Sequence, residues 1–269
     1  MKKLSLLSFF IALFTISFAQ NKTNEEKTKE QKRKERNERI NQMMKEEEEG
    51  ALVYNKQTAF GGKLITDGYG IFYEHGKYKT ISTTNLWWIE LGERRDPKEK
   101  KSVLGDGAGF QIGNPFIYGK INNFYYLKVG FGQQRLIGGK DVKNGVAVSA
   151  IYGGGLSLGL LKPYYLNIST PDTSATIKYS DSPALFLDPG AIIGGAGFTK
   201  GFSEMTVVPG LHARVALRFD YGHFNELLSA IETGVNAAFY TKDINMMYSE
   251  PGKKFFFNAY VAIVFGKRK

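Results

Sequence analysis

Alternation of side-chain character along residues 81–94, ISTTNLWWIELGER, limits the folds open to this chain more than any other feature. One face carries Ile81, Thr83, Trp87, Ile89 and Leu91, and the other carries Ser82, Thr84, Trp88, Glu90, Gly92 and Arg94. A period of two residues predicts a strand. Strands of soluble proteins average about five or six residues, whereas a tilted strand that crosses a bilayer needs about nine to eleven. We therefore expect a membrane-crossing strand with an apolar face toward lipid and a polar face toward an enclosed interior.

Seven further segments repeat this pattern, and the sequence of 269 residues holds 31 glycines and 14% aromatic residues, which suits barrel strands joined by tight turns. The segments are Gln57–Ile65, Tyr69–His75, Phe124–Ile137, Val146–Leu160, Val207–Phe219, Leu227–Tyr240 and Phe255–Phe265. Together the eight predict an all-β fold over residues 51–269, an eight-stranded antiparallel up-and-down transmembrane β-barrel. Tyr164–Ile168 and the glycine-rich Gly190–Gly201 offer an additional pair, which leaves a ten-stranded barrel open.

The first nineteen residues indicate export of the chain. Lys2 and Lys3 precede an apolar core from Leu4 to Phe18, and small residues flank a cleavage point near Ala19/Gln20. This arrangement is typical of a cleavable signal peptide. Cleavage lowers the formal charge from +10 to +8, and the chain has no cysteine, so it forms no disulfides. An exported basic chain is expected to meet anionic head groups of a membrane rather than nucleic acid.

Residues 20–50 predict a charged periplasmic helix or tail. Nine Lys/Arg and nine Glu residues lie between residues 21 and 50, and several form Glu-to-basic pairs at i,i+4 spacing, which stabilise a helix. One apolar spot, formed by Ile40, Met43 and Met44, is a candidate contact for a periplasmic or outer-membrane protein partner.

The predicted connections alternate in length. The turns after the second, fourth and sixth strands (Gly76-Lys77, Gly138–Gly145 and Tyr221–Asn225) are short, and the segments after the third, fifth and seventh are long and irregular. Outer-membrane barrels have short periplasmic turns and long external loops. The lengths therefore agree with an exported chain whose amino terminus lies in the periplasm, apart from the short Asp67-Gly68 hairpin outside.

With the signal, the alternating strands and the carboxyl-terminal segment FFFNAYVAIVF (Phe255–Phe265) in view, the chain resembles small outer-membrane β-barrel proteins, particularly those of Bacteroidota. The resemblance is architectural and implies insertion by the barrel-assembly machinery, which recognises alternate aromatics in a final strand. Here Gly266 to Lys269 follow the last aromatic residue.

Polar residues on the inward faces are the first set of candidate site residues. They are Glu90, Arg94, Lys128, His212, Arg214, Arg218 and Glu232, with Glu74, Gln134 and Asn236 beside them. The interior of an eight-stranded barrel is just wide enough for side chains to fill it, and an unpaired buried charge is very costly. We expect a network of mutual ion pairs; a narrow proton or solute channel is the alternative.

The segment Arg94–Lys101 is the second candidate, because it carries five basic and two acidic residues at the outer end of the third strand. Arg94, Arg95, Lys98, Lys100 and Lys101 are the predicted contacts for lipopolysaccharide phosphates or a protein partner. The predicted function is a non-enzymatic envelope scaffold or accessory subunit.

Catalysis by a lipid A or phospholipid hydrolase is the alternative function. The three histidines, His75, His212 and His223, are not placed where they would meet acyl chains, and no metal-binding, nucleophile-elbow or phosphate-loop motif occurs. We therefore predict no catalytic residues, no metal and no cofactor.

Overall fold

The computed structural model describes residues 55–80, 82–105, 111–139, 145–171, 174–222 and 227–269, together with Arg33, Lys34, Asn37 and Glu38. The chain divides into two units, residues 1–52 and 53–269. In the first, the four described residues are helical. The predicted signal peptide, the rest of the predicted helix and the spot formed by Ile40, Met43 and Met44 lie outside the described residues.

Within the described part of the second unit, thirteen strands follow one another. In chain order they are β1 (Lys56–Ile65), β2 (Gly68–Thr80), β3 (Thr83–Arg94), β4 (Lys101–Gly105), β5 (Gln111–Ile117), β6 (Asn122–Gly138), β7 (Ala147–Pro163), β8 (Tyr165–Ser169), β9 (Ser174–Lys178), β10 (Ile192–Gly195), β11 (Thr206–Asp220), β12 (Leu227–Ile244) and β13 (Lys253–Arg268). Eight of them form a closed barrel in the order β1-β13-β12-β11-β7-β6-β3-β2. The barrel neighbours are antiparallel, and β1 closes the sheet by pairing with β13. The predicted eight-stranded barrel is confirmed.

Alternation explains why these segments become strands of a barrel. On β3, Ile89 and Leu91 are 41% and 47% exposed on the outer wall, whereas Trp88, Glu90 and Arg94 are buried inside. Large apolar side chains stay exposed around the outer wall, including Phe60, Leu156, Val215 and Phe257. A contiguous exposed apolar surface of this kind is rare on soluble monomers and forms the outward band of a membrane barrel.

The turn predicted at Gly76-Lys77 is wrong, because β2 continues to Thr80 and the connection to β3 lies four residues later. Gly76 pairs with Leu86 inside the ladder. A Cβ at Gly76 would lie 2.7 Å from Cδ2 of Leu86 and 2.8 Å from Cγ2 of Thr84. Glycine is needed here because inward side chains approach the backbone closely, and no reversal of the chain takes place.

The long connections are folded rather than irregular. The ten-strand alternative is wrong. The two segments proposed for it form β8 and β10, which do pair, but in a separate sheet of order β10-β8-β9. With five and four residues, they are too short to cross a bilayer. Leu166 of this sheet packs in a separate apolar cluster with Phe186 and with Phe116 of β5, and β4 and β5 form a hairpin in the connection between β3 and β6.

The connections between β3 and β6, between β7 and β11 and between β12 and β13 all leave the same end of the barrel. We call these connections the loop subdomain and this end of the barrel the loop end. At this end the lumen is filled by three inward rings: Phe124 lies 5.5 Å from Tyr240 and 5.4 Å from Phe256 between ring centroids. Met246 and Met247 from the last connection are buried against them. The apolar cluster caps the barrel. None of the helices within the described residues combines the length and apolar character needed to cross a bilayer.

Candidate functional site

Four charged side chains from three strands form the centre of the barrel interior. Arg218 donates to both oxygens of Glu74, at 2.7 and 3.0 Å, and to Oε2 of Glu232 at 2.5 and 2.9 Å. Arg214 donates to the same Glu74 at 3.0 Å and lies 3.7 Å from Glu232. The Tyr260 hydroxyl completes the cluster by donating to Glu232 at 2.5 Å. All five side chains are buried, so the attraction between them is weakly screened.

A second ion cluster surrounds Glu90. Lys63 donates to its Oε2 at 2.6 Å, and Nζ of Lys128 lies 3.4 Å from its Oε1. The ammonium of Lys63 also lies 4.1 Å from the centre of the Tyr260 ring. Lys63 is not among the residues predicted from the sequence, although it alternates in phase with Gln57 and Ala59, which are also buried inward residues of β1.

Gln134 connects the charged clusters to neutral groups, at 3.3 Å from Gln57, 3.4 Å from Arg218 and 3.2 Å from Ser149. His212 and Asn236 are buried inside as well. The Nδ1 of His212 lies 3.1 Å from the carbonyl oxygen of Leu156, and its ring packs edge-on against Trp88. His212 is therefore packed beside the ion clusters.

Arg94 was predicted both as an interior residue and as a contact for lipopolysaccharide, and the structure contradicts the second role. Its side chain is fully buried, 3.6 Å from Asp67 and 4.9 Å from the centre of the Phe256 ring. The alternation of β3 turns it inward with Glu90, so Arg94 cannot reach the outer surface.

Trp88 shows how closely the interior is packed. The guanidinium carbon of Arg214 lies 4.2 Å from the centre of its ring. The adjacent strands β6 and β7 carry Gly130 and Gly153, where a Cβ would lie 2.4 and 2.8 Å from indole carbons. These glycines leave room for the indole. With ion pairs across the lumen and rings at one end, the interior is a packed core.

The outward-facing residues of β2, β3, β6 and β7 form rows across the sheet, and these rows change from apolar to polar toward the loop end. An apolar row of directly paired residues, Ile71, Leu91, Leu127 and Leu158, crosses β2, β3, β6 and β7. The next row of outward-facing residues toward the loop end is Tyr69, Glu93, Tyr125 and Leu160. Beyond it, Asn123 pairs with Lys162, and Arg95 follows the end of β3. The apolar wall therefore gives way, through a row with two tyrosines, to basic and polar residues.

A cleft of about 430 Å³ lies at this boundary, between the barrel wall and the loop subdomain. It is lined by five basic residues and two acidic residues, a formal excess of three positive charges; these are Arg95, Lys101, Lys120, Lys162, Lys200, Glu93 and Glu99. We call it the basic cleft. Four tyrosines, Tyr69, Tyr125, Tyr164 and Tyr165, also line it.

The cations of the basic cleft differ in their partners. Lys120 donates to Glu99 at 2.7 Å in a nearly buried pair, and Arg95 lies 3.5 Å from Glu93. The ammonium of Lys162 donates to the carbonyl oxygen of Phe198 at 2.5 Å, so its direct partner is not a carboxylate.

Lys101 and Lys200 are exposed, and within the described residues neither forms an ion pair. Burial raises the pKa of Tyr164, and the hydrogen bond that Tyr165 donates to the Glu204 carboxylate raises the pKa of Tyr165.

The predicted basic contacts divide between the cleft and the surrounding surface. Arg95 and Lys101 line the cleft, Lys98 instead pairs with Glu250, and Lys100 is exposed outside the cleft lining. Sequence reasoning missed three cleft cations: Lys120, Lys162 and Lys200. No local signal marks them, because each is isolated in the chain and they meet only through the folded connections.

Metal-ligand clusters and histidines are the groups of the described residues that bear on the hydrolase alternative. These residues contain no cluster of three or more His, Asp or Glu side chains that could hold a metal ion. His75 lies beside the hydroxyl of Thr58, at 3.1 Å, and His223 lies outside the described residues.

The closed eight-stranded sheet with its outward apolar band defines the fold of a small outer-membrane β-barrel. Neither a protein-family model nor a curated protein matches the sequence. Three solved barrels of this kind are similar to it in structure. Ail of Yersinia pestis has a TM-score of 0.37 and 8% identity, over 81% of this chain and 100% of its own. Neisserial surface protein A has a TM-score of 0.37 and 7% identity, over 80% of this chain and 95% of its own. The amino-terminal barrel of OprF of Pseudomonas aeruginosa has a TM-score of 0.34 and 10% identity, over 79% of this chain and 98% of its own.

Proposed function

We propose that the chain is a non-enzymatic outer-membrane protein, in which a filled barrel acts as an envelope scaffold and contacts lipopolysaccharide at its outer rim. One observation carries the proposal: the order of the wall rows, from the apolar row through the row with two tyrosines to the basic cleft. Phosphate groups of an outer leaflet would lie at the level where the apolar wall ends.

The packed interior supports the scaffold role. Buried ion pairs link the non-neighbouring strands β1 and β3, and β2 and β11, as well as the neighbouring pairs β3–β6 and β11–β12. Loops on a rigid support present a defined surface to a partner. A periplasmic or outer-membrane protein partner is part of this proposal. The final strand, with its resemblance to barrels of Bacteroidota, supports insertion by the barrel-assembly machinery.

Site-specific labelling tests the location and the orientation, because the natural chain has no cysteine. Lys100→Cys at the loop end and Lys79→Cys at the opposite end are both exposed positions. In intact cells, a membrane-impermeant maleimide is expected to label Lys100→Cys, and to label Lys79→Cys only after lysis. The opposite pattern, or recovery of the protein outside the outer-membrane fraction, contradicts the proposal.

Cross-linking mass spectrometry on intact outer membranes tests the scaffold role. Reproducible cross-links from lysines of the loop subdomain to one partner are expected. Purified protein in planar bilayers provides the second measurement, since steady conductance from a folded sample would favour the channel alternative.

A further inference from the structure

We propose that the basic cleft is a binding site for a phosphorylated saccharide, with Lys101 and Lys200 as the contacts for phosphate. This inference rests on the proposed function for its placement at the outer leaflet and deepens it by naming the chemistry of the ligand.

The charges of the cleft are arranged for an anion. Glu93 and Glu99 each have a basic partner within the cleft, Arg95 and Lys120, so the formal excess of positive charge resides on three lysines. Lys162 is held in place between the rings of Phe198 and Phe202, 4.3 and 4.4 Å from their centres. Its charge is fixed at the cleft, whereas Lys101 and Lys200 are exposed and able to contact a ligand.

The other lining groups suit a sugar. Four tyrosines line the same space, and amphipathic rings of this kind pack against sugars. The hydroxyl groups of Tyr69 and Tyr165 already donate to Glu93 and Glu204, so their rings are the part available to a sugar. The volume of about 430 Å³ lies within the usual range for small-ligand sites, roughly 300–1,000 Å³. A phosphorylated sugar is therefore accommodated, whereas inorganic phosphate would leave the tyrosine faces unused.

The position of the cleft favours a sugar that carries acyl chains. Directly below its tyrosine row, Leu91, Leu127 and Leu158 form the apolar row of the outer wall. A glycolipid head group in the cleft would place its chains along this row, in the bilayer. A free phosphosugar has the same head-group chemistry without this contact, so the two sources are separable by affinity.

Binding measurements on the full chain in mild detergent test the inference, with lipid A, lipid A stripped of phosphate and glucose 6-phosphate as the probes. The cleft variant is Lys101→Glu with Lys200→Glu. The matched control is Lys242→Glu with Lys253→Glu, which changes the net charge equally at exposed loop-end positions outside the cleft lining. Heat-modifiability on gels verifies that both variants are folded.

We expect the cleft variant to bind lipid A at least about tenfold more weakly, since charge-assisted hydrogen bonds to phosphate are lost. Removal of the phosphates should weaken binding to the natural chain by a similar factor, and the control variant should stay within about twofold. Affinity for lipid A at least about tenfold above that for glucose 6-phosphate assigns the site to the glycolipid, because buried chains add to the head-group contacts. Equal affinity assigns it to a free phosphosugar.

Equal losses in the cleft and control variants, or no loss in either, would overturn the inference. Surface labelling and fractionation are independent of these binding measurements. A chain that is correctly located in the outer membrane and yet fails to bind refutes the phosphosaccharide site while leaving the scaffold proposal intact.

Discussion

Arg218 and Glu74 face each other across the barrel lumen, on strands that are not neighbours, and both oxygens of the carboxylate accept from the guanidinium at 2.7 and 3.0 Å. The two residues are 144 positions apart in the chain. β2 and β11 are separated in the sheet by β3, β6 and β7. The pair therefore joins parts of the barrel wall that no backbone ladder connects, and it acts as a strut across the interior.

Glu74→Gln should destabilise the barrel strongly. The substitution keeps the size of the side chain but removes its charge, which leaves Arg214 and Arg218 to share Glu232. Breaking one partner of a buried ion pair costs about 3–5 kcal/mol. Urea unfolding of the detergent-solubilised protein measures the free energy, with the exposed Lys100→Gln as the control. A free energy of unfolding equal to that of the natural chain would contradict the strut role.

Glu90→Ala should lower the midpoint of the heat-modifiability transition, because Lys63 and Lys128 then lose their carboxylate in a buried site. An unchanged midpoint would refute the interior network as a source of stability. The triple substitution Lys63→Met, Glu90→Leu and Lys128→Met should recover most of the loss, because apolar replacement of a complete buried ion cluster is often neutral or stabilising.

Glycines beneath Trp88 give a prediction with an internal control. Gly130→Ala places a Cβ where the indole carbon Cζ2 lies 2.4 Å away, so the core is overpacked at a cost of roughly 1–3 kcal/mol. Gly62→Ala on the outer wall meets no atom within 4 Å and should be neutral or slightly stabilising, because glycine costs about 0.5–1 kcal/mol in a strand relative to alanine. Unfolding in urea compares the two variants; equal effects would contradict close packing at Trp88.

Local alternation was sufficient to predict the barrel, because the apolar residues within each strand of a membrane barrel mark the face that meets lipid. The same rule places Glu90 and Arg94 inside, although the basic run after Arg94 suggested a surface contact for that residue. Gly76 was mistaken for a turn because its role depends on Leu86 and Thr84 of the neighbouring strand. A glycine that serves close packing and one that serves a turn look alike in a sequence.

The basic cleft was only partly predictable for a related reason. Arg95 and Lys101 belong to one charged run, whereas Lys120, Lys162 and Lys200 come from separate connections. Folding of the loop subdomain brings them together, through contacts such as those of β5 with β10. Neither composition nor spacing predicts that these three lysines lie close together, because their proximity depends on how the connections fold.

Dependence on pH should identify phosphate as the group that the basic cleft recognises. A phosphate monoester loses its second proton with a pKa of about 6, so glucose 6-phosphate carries nearly two charges at about pH 7.5 and nearly one at about pH 5. The cleft is lined by five basic and two acidic side chains, so it attracts a doubly charged phosphate more strongly than a singly charged one. We therefore expect affinity to fall roughly threefold to tenfold on acidification, as the Coulomb attraction weakens.

Glucose 6-sulfate is the matched ligand for this measurement, because a sulfate monoester keeps a single charge over the same range. Glu93 and Glu99 line the cleft, and any change in their charge would alter the binding of both ligands in the same direction. A fall in affinity confined to glucose 6-phosphate therefore reports the titration of the ligand. Parallel curves for the two ligands would place the titrating group in the protein and contradict recognition of the phosphate dianion.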